Sequence, residues 1–177
     1  GLHRRRLGIV GMGSIGQAVA SRARAFGMEI AYHNRSAVDA ETEQRLGAKL
    51  VSLDELLATS DVVSLHCPYT EDTHHLVDAR ALLTMRPSAF LINTARGSVV
   101  DEAALAEALH RGTIAGAGLD VFENVTDIHP ELLSLDNVVL VPHLGSATVE
   151  TRAAMADLAA HNVAAHLRGD PLPTPVN

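Results

Sequence analysis

The sequence predicts an α/β protein with three layers, in which helices cover both faces of a doubly wound parallel sheet. Short apolar runs alternate along the chain with amphipathic segments, which is the pattern of β–α units around such a sheet. The first run, Leu7–Val10, shows no polar alternation, as expected of a strand that is buried on both faces. A chain of 177 residues is long enough for one hydrophobic core and short for two. We therefore expect one domain over residues 1–177.

The same patterns predict where the individual elements lie. Strands are expected at Leu7–Val10, Glu29–Tyr32, Lys49–Val51, Val62–Leu65, Ala89–Asn93, Ile114–Leu119 and Val138–Val141. The apolar side of the first helix is marked by residues at helical spacing, namely Ile15, Val19, Ala23 and Phe26. Gly27 is expected to end this helix. The other helices are expected at Ala37–Leu46, Leu53–Ala58, Asp78–Thr84, Glu102–His110 and Thr148–Leu167.

Composition and charge exclude several classes of partner. The chain has 14 basic and 21 acidic residues and a net charge of −7, whereas nucleic-acid binding requires an excess of Lys and Arg. No apolar run approaches the roughly 20 residues needed to span a bilayer, and the start lacks the apolar core of a secretory signal. Cys67, the single cysteine, cannot form an internal disulfide, which fits a reducing compartment. A cytoplasmic protein without a nucleic-acid or membrane partner is therefore expected.

A glycine-rich segment follows the first predicted strand and opens the first helix. It reads Gly11-Met12-Gly13-Ser14-Ile15-Gly16 and fits the pattern G-x-G-x-x-G. In such a loop Gly11 permits a tight turn, Gly13 lets the backbone approach a pyrophosphate, and Gly16 lets helix and strand pack closely. The pyrophosphate would lie at the amino-terminal end of the helix, beside Ser14 and Ile15. The context predicts a Rossmann-type dinucleotide site, and a plain glycine turn is the alternative.

The residues after the second predicted strand bear on which dinucleotide is bound. A domain that prefers NAD usually has Asp or Glu about 20 residues after the glycine loop to bind the ribose 2′-hydroxyl. This position falls near His33, within Tyr32–Ser36, and no carboxylate is present there. Arg35 can instead form a charge-assisted contact with a 2′-phosphate, with Asn34 and Ser36 as neutral donors. We therefore predict NADP over NAD; the alternative is that Arg35 is a solvated loop arginine.

Four short motifs occur in order along the rest of the chain. They are Leu65–Thr70, Ile92–Gly97, Gly118–Glu123 and Val141–Thr148. Together they resemble the NAD(P)-binding domain of the D-isomer-specific 2-hydroxyacid dehydrogenases over nearly the whole chain. Tyr32–Ser36 and His143–Arg152 are most similar to the glyoxylate/hydroxypyruvate reductase branch of that family. The resemblance implies a homodimer and hydride transfer between NADP(H) and a small 2-keto or 2-hydroxy acid.

Two residues in these motifs suit the chemistry of keto-acid reduction. The reaction needs a cation for the substrate carboxylate and an acid that protonates the keto oxygen. Arg96 follows a predicted strand and offers a planar fork of donors, whereas His143 follows another strand and can donate or accept a proton near neutral pH. The resemblance makes Arg96 the substrate-binding arginine and His143 the acid/base. Taken singly, either residue could equally be structural.

The resemblance also implies cofactor contacts residue by residue. Cys67 and Pro68 would line the path of the adenosine and ribose, with Thr73 nearby. Arg96 and His143 would lie against the cofactor as well as the substrate. The nicotinamide side would be contacted by Thr94, Ala95, Asp120 and Gly145. Cys67 is expected to pack beside the cofactor rather than act as a nucleophile, because no base and orienting group accompany it.

Two departures from the family pattern limit the expected activity. The family has Glu and then Pro where this chain has Val125 and Thr126, and that Glu pairs with the catalytic histidine. Without a carboxylate, His143 is expected to be a weaker and less well oriented acid, unless Glu123 or Asp127 substitutes after a shift of the loop. The family also has a substrate-binding domain ahead of the cofactor domain, and that domain is expected to be absent here. From these two departures we expect the reductase activity to be impaired.

One other function stays open from the sequence, and the sequence disfavours a second. A non-catalytic NAD(P)-binding or redox-sensing module on the same fold would explain Val125, although such a module would not need both Arg96 and His143. A formate-oxidising relative would require an amide at position 125, and valine has none.

The remaining histidines and apolar stretches receive structural interpretations. No companion Cys, Asp or Glu stands at ligand spacing from His74 and His75, or from His161 and His166, so no metal site is predicted. The apolar stretch Val99–Leu109 and the terminal helix are expected to be exposed and to serve a homodimer contact.

Overall fold

The computed structural model describes residues 1–124 and 128–175, which fall into two compact units, Gly1–Pro142 and His143–Asn177. The first unit contains a sheet of seven strands, in which every neighbouring pair is parallel. The strands are β1 (Arg6–Val10), β2 (Glu29–His33), β3 (Ala48–Leu50), β4 (Val62–Leu65), β5 (Phe90–Asn93), β6 (Gly116–Leu119) and β7 (Val138–Leu140). Their order in the sheet is β3-β2-β1-β4-β5-β6-β7, so the predicted doubly wound Rossmann-type fold is confirmed.

Helices alternate with these strands, and short polar side chains fix where most of them begin. The helices are α1 (Ser14–Ala25), α2 (Ala40–Leu46), α3 (Leu53–Thr59), α4 (Ala79–Thr84), α5 (Glu102–His110) and α6 (Val149–Arg168). Five helices have an N-cap side chain that accepts a backbone hydrogen bond three residues on, at Asp39, Ser52, Asp78, Asp101 and Thr148. Such caps satisfy amides that have no partner within the helix. The cap at Asp39 explains why α2 starts at Ala40 and not at the predicted Ala37.

The hydrophobic core lies on both faces of the sheet, because successive residues of a strand point to opposite sides. In β2, Ile30 and Tyr32 belong to one buried cluster and Ala31 to the other. In β1, Ile9 packs with the first cluster and Val10 with the second. Each face of the sheet is therefore covered by its own layer of helices, as predicted for a three-layer fold.

The buried side of α1 differs from the predicted one. Ile15 and Phe26 are 65% and 62% exposed, whereas Gly16 and Ala20 are buried together with Ala23. A Cβ at residue 16 would overlap the carbonyl oxygen of Gly11. Close approach of helix and strand therefore selects the small residues for the interface and turns the larger apolar side chains outward. The prediction that Ile15 and Phe26 mark the apolar side was wrong.

The prediction that Val99–Leu109 is exposed was also wrong. Val99, Leu105 and Leu109 are at most 2% exposed and belong to the larger core cluster. They lie on or just before α5, which packs against α4 in the first unit. This stretch therefore stabilises the first unit and is not a free surface for a dimer contact.

The second unit consists mainly of α6, a helix of 20 residues. Several of its apolar side chains are exposed, namely Val149, Met155, Leu158, Val163 and Leu167. Gly169 ends the helix in the left-handed conformation, with φ +75°. Within residues 1–124 and 128–175, no helix has both the length and the apolar character that crossing a membrane requires.

Candidate nucleotide-binding and catalytic site

The sheet order creates a crevice at the carboxyl ends of its central strands. β1 has β2 on one side and β4 on the other, which is the point in a doubly wound sheet where ligands bind. The loops after these three strands surround a cavity of about 350 Å³. Eight residues predicted from the sequence to contact the cofactor line this cavity: Gly11, Gly13, Asn34, Arg35, Ser36, Cys67, Pro68 and Thr73.

The glycine loop has the backbone geometry that its sequence pattern requires. Gly11 adopts φ +97°, and a Cβ there would lie 2.5 Å from the backbone nitrogen of Cys67. By contrast, a Cβ at Gly13 would meet no atom within 4 Å. Ser14 and Ile15 form the first residues of α1, where backbone amides lack partners within the helix. The loop therefore leaves an open approach to a helix amino terminus, as an anion site needs.

The end of β2 is tied to this loop through an asparagine amide. The backbone nitrogen of Met12 donates a hydrogen bond to Oδ1 of Asn34 at 2.7 Å. Asn34 thus uses its oxygen to fix the glycine loop and keeps only its NH₂ group as a donor toward a ligand. Arg35 and Ser36 are exposed beside it, and Arg35 has no ion pair within the described part of the chain.

The loop after β4 contributes two partly buried groups whose pKa values are shifted away from the charged form. Nε2 of His66 lies 2.8 Å from the Ser64 hydroxyl, and burial lowers the pKa of the His66 imidazole. Burial likewise raises the pKa of the Cys67 thiol, which opposes the formation of a nucleophilic thiolate. Thr73 is held beside Pro68 on this side of the cavity, because its hydroxyl donates a hydrogen bond to the Pro68 carbonyl at 2.8 Å. His66 also lines the cavity; it belongs to the motif Leu65–Thr70 but was not among the contacts predicted from the sequence.

The loop after β5 is held by a buried side-chain amide that sequence reasoning also missed. Asn93 is 1% exposed; its Nδ2 donates to the Arg96 carbonyl at 2.9 Å, and its Oδ1 accepts from the Ala95 nitrogen at 3.0 Å. The backbone of residues 94–96 is fixed in this way, while the side chains of Thr94 and Arg96 remain exposed. Asn93 also links this loop to the next strand, because its carbonyl accepts a hydrogen bond from the nitrogen of Asp120 at 2.9 Å. In the sequence, this role of Asn93 is indicated only by its being a polar residue at the end of an apolar strand.

Gly97 lets this loop press against the segment that follows β6. A Cβ at Gly97 would overlap the carbonyl group of Phe122 and the backbone nitrogen of Glu123. Asp120, in the same segment, is 7% exposed. Arg96 and Asp120 therefore both follow strands at the carboxyl edge of the sheet, with Gly97 as the contact point between their loops.

The predicted acid/base, His143, is the first residue of the second compact unit. It is exposed and has φ +55°, a left-handed conformation that is uncommon for residues other than glycine. Such backbone strain clusters at functional sites. Gly145, two residues further on, is also exposed. Val125, Thr126 and Asp127, on which the predicted loss of the partner carboxylate depends, lie outside the described residues.

Comparison with known proteins agrees with this architecture. Residues 1–145 match the family model described as "D-isomer specific 2-hydroxyacid dehydrogenase, NAD binding domain". A glyoxylate reductase of Thermococcus onnurineus is 53% identical over 173 residues, which are 98% of this chain and 52% of that protein. An NADPH-dependent glyoxylate/hydroxypyruvate reductase from Sinorhizobium meliloti, solved with NADP and malonate, superposes with a TM-score of 0.93 at 44% identity, over 99% of this chain and 54% of that one.

A second solved relative differs in its cofactor. The D-lactate dehydrogenase from Aquifex aeolicus, solved with NAD and lactic acid, has a TM-score of 0.88 at 36% identity, over 96% of this chain and 55% of that one. The chain thus spans about half the length of the relatives it matches. The protein belongs to the D-isomer-specific 2-hydroxyacid dehydrogenase family, and its first 145 residues match the NAD-binding domain of that family.

Proposed function

We propose that this chain is the NADP(H)-binding half of a reductase that acts on a small 2-keto acid of the glyoxylate or hydroxypyruvate type. The observation that supports it most is the cavity between the loops after β1, β2 and β4, where Gly13 opens onto a helix amino terminus and Arg35 stands at the rim. The 53% identity to a glyoxylate reductase supports the substrate class.

The residues of the cavity fit a phosphorylated dinucleotide. The backbone at Gly13, Ser14 and Ile15 would hold the pyrophosphate, since no side chain blocks its approach and the helix end favours negative charge. Arg35 would pair with the 2′-phosphate, and the NH₂ group of Asn34 would add a neutral donor. When bound, NADPH supplies the hydride for reduction.

Arg96 and His143 would act on the substrate. The guanidinium of Arg96 is anchored to its own loop, with Nη1 donating to the Ala95 carbonyl at 2.6 Å, and its other donors remain for a carboxylate. As hydride reaches the carbonyl carbon, His143 would give its proton to the keto oxygen, and it would take a proton from the hydroxyl group in the reverse direction. The contacts that select the keto acid would come from a substrate-binding half like that of the relatives, and a homodimer belongs to the same proposal.

The cofactor preference can be measured on this chain directly. Arg35→Ala should weaken NADPH binding about tenfold, because one charge-assisted contact to a phosphate contributes about 1.5–3 kcal/mol and solvent weakens it at an exposed site. NADH has no 2′-phosphate, so its affinity should stay the same. Fluorescence titration of both cofactors against the wild type and the variant measures this. Equal NADPH and NADH affinities that the substitution leaves unchanged would refute the NADP assignment.

The proposal includes an impaired active site, because valine occupies the position of the family's glutamate. Val125→Glu, in a protein of the relatives' length that contains this chain, should raise kcat for glyoxylate reduction about tenfold. A carboxylate beside the imidazole favours its protonated form, so the alkaline limb of the pH profile should move upward by about one unit. Val125→Gln provides the neutral control. An unchanged rate and pH profile in the glutamate variant would count against the account.

The alternative proposal is a non-catalytic NAD(P)-binding or redox-sensing module on the same fold. Val125 favours this alternative, because a sensor needs no carboxylate to pair with a catalytic histidine. Cofactor binding cannot separate the two proposals, but glyoxylate-dependent oxidation of NADPH can, since only the reductase consumes both.

A further inference from the structure

We propose that His74, His75 and Glu123 form a binding site for a divalent transition-metal ion, with Zn²⁺ as the best match. Glu123 lies 48 residues from His75 in sequence, yet its Oε1 is 2.5 Å from Nε2 of His75. One ligand atom from each of the three residues lies within 4.8 Å of the others. Two imidazoles and a carboxylate are a set that Zn²⁺ uses, with a water molecule in the fourth position.

Two of these ligands, His75 and Glu123, also contact groups on the side away from the proposed ion. Nδ1 of His75 faces Oδ2 of Asp101 at 3.9 Å, so Nε2 points toward Glu123 with a carboxylate on the far side of the ring. At this distance the Asp101 carboxylate attracts the ring electrostatically without a hydrogen bond and leaves Nε2 on the side of Glu123. On the other side, Oε2 of Glu123 accepts a hydrogen bond from the Glu102 nitrogen at 3.3 Å, which leaves Oε1 directed at His75.

Glu102 holds the segment that contains Glu123. It is 5% exposed, and its Oε1 accepts a hydrogen bond from the backbone nitrogen of Glu123 at 2.5 Å. Because both the backbone and the carboxylate of Glu123 contact the start of α5, little ordering of this ligand would be needed when an ion binds.

His74 supplies the third ligand through an unusual backbone turn. His75 adopts φ +48°, and its ring stacks on that of His74 with centroids 4.0 Å apart and an interplanar angle of 22°. The rings of Tyr69 and His74 form a T-shaped pair, with centroids 6.1 Å apart. Two consecutive imidazoles therefore face the same carboxylate, and His74 is exposed enough to turn a nitrogen toward a shared ion.

An ion at this position would join two segments of the first unit that are far apart in sequence, namely residues 74–75 and the loop after β6. It would bind the folded chain and not the unfolded one, so it should raise the temperature of unfolding. None of the three ligands lines the cavity proposed for the dinucleotide, but their neighbours Thr73 and Leu76 do, so the two sites adjoin.

The test is calorimetric titration of the metal-free, tag-free chain with ZnCl₂, followed by the same titration of variants. We expect one Zn²⁺ per chain, and His74→Ala and Glu123→Gln should each weaken binding at least tenfold while the circular dichroism spectrum stays unchanged. His161→Ala, which removes an exposed histidine of α6, is the matched control and should bind like the wild type. Replacing Zn²⁺ with Co²⁺ should give the intense visible bands of a tetrahedral site.

Two results would overturn the proposal. One is the absence of saturable binding by the wild type at micromolar Zn²⁺. The other is wild-type affinity in both His74→Ala and Glu123→Gln, because the bound ion would then belong to other histidines. His74 has an exposed side chain, so its substitution tests the site even if the Glu123 variant alters the loop.

Discussion

Replacing His143 with glutamine should lower kcat for glyoxylate reduction by about a thousandfold, in a protein of the relatives' length that contains this chain. A positioned general acid contributes about 10²–10⁴-fold, and glutamine keeps the size and hydrogen bonding of the side chain but cannot transfer the proton. NADPH affinity should change little, because the phosphates and adenosine would be held by the cavity after β1, β2 and β4. Steady-state kinetics together with an NADPH titration measures both effects.

Arg96→Gln provides the matched comparison for this expectation. It removes the proposed cation for the substrate carboxylate, so KM for glyoxylate should rise strongly, whereas His143→Gln should act mainly on kcat. If His143→Gln reduced kcat less than tenfold, or if it abolished NADPH binding, the acid/base assignment would be wrong.

Replacing Gly97 with alanine should destabilise the fold by about 3 kcal/mol or more, a large part of the roughly 5–15 kcal/mol that stabilises a typical domain. The new Cβ would overlap the backbone of Phe122 and Glu123, which cannot turn aside as a flexible side chain can. Urea unfolding followed by circular dichroism should show a midpoint lower by about 1 M or more.

Two other glycines provide the controls. At Gly118 a new Cβ would lie 3.1 Å from the terminal methyl of Ile92, which can move, and so Gly118→Ala should cost much less. At Gly13 there is open space, so Gly13→Ala should unfold like the wild type while losing NADPH affinity. A Gly97→Ala variant as stable as Gly118→Ala would contradict the close packing of the two loops.

The order of elements and the glycine loop were predictable because they depend on local patterns. Apolar runs and cap residues such as Asp39 and Asp101 act within a few residues, so strand and helix positions were recovered to within a few residues. The placement of Arg35 beside Gly13 also followed, since parallel strands place their carboxyl ends at one edge of the sheet.

The features that the sequence did not predict depend on contacts between distant segments. Whether Ala20 in α1 or Phe26 just after it is buried depends on how closely the helix approaches β1, and hydrophobic periodicity does not contain that distance. The pairing of His75 with Glu123 spans 48 residues, and no spacing rule connects them. In the same way, the buried amide of Asn93 acquires its role only when the loops after β5 and β6 meet.

The most direct test of the central claim is to follow the hydride itself. A protein of the relatives' length that contains this chain is incubated with glyoxylate and NADPH that has deuterium at both C4 positions, and the product is analysed by mass spectrometry. We predict glycolate with one deuterium on C2, formed in step with oxidation of the cofactor. Bound NADPH that stays reduced, with no glycolate formed, would contradict this and would favour the non-catalytic module.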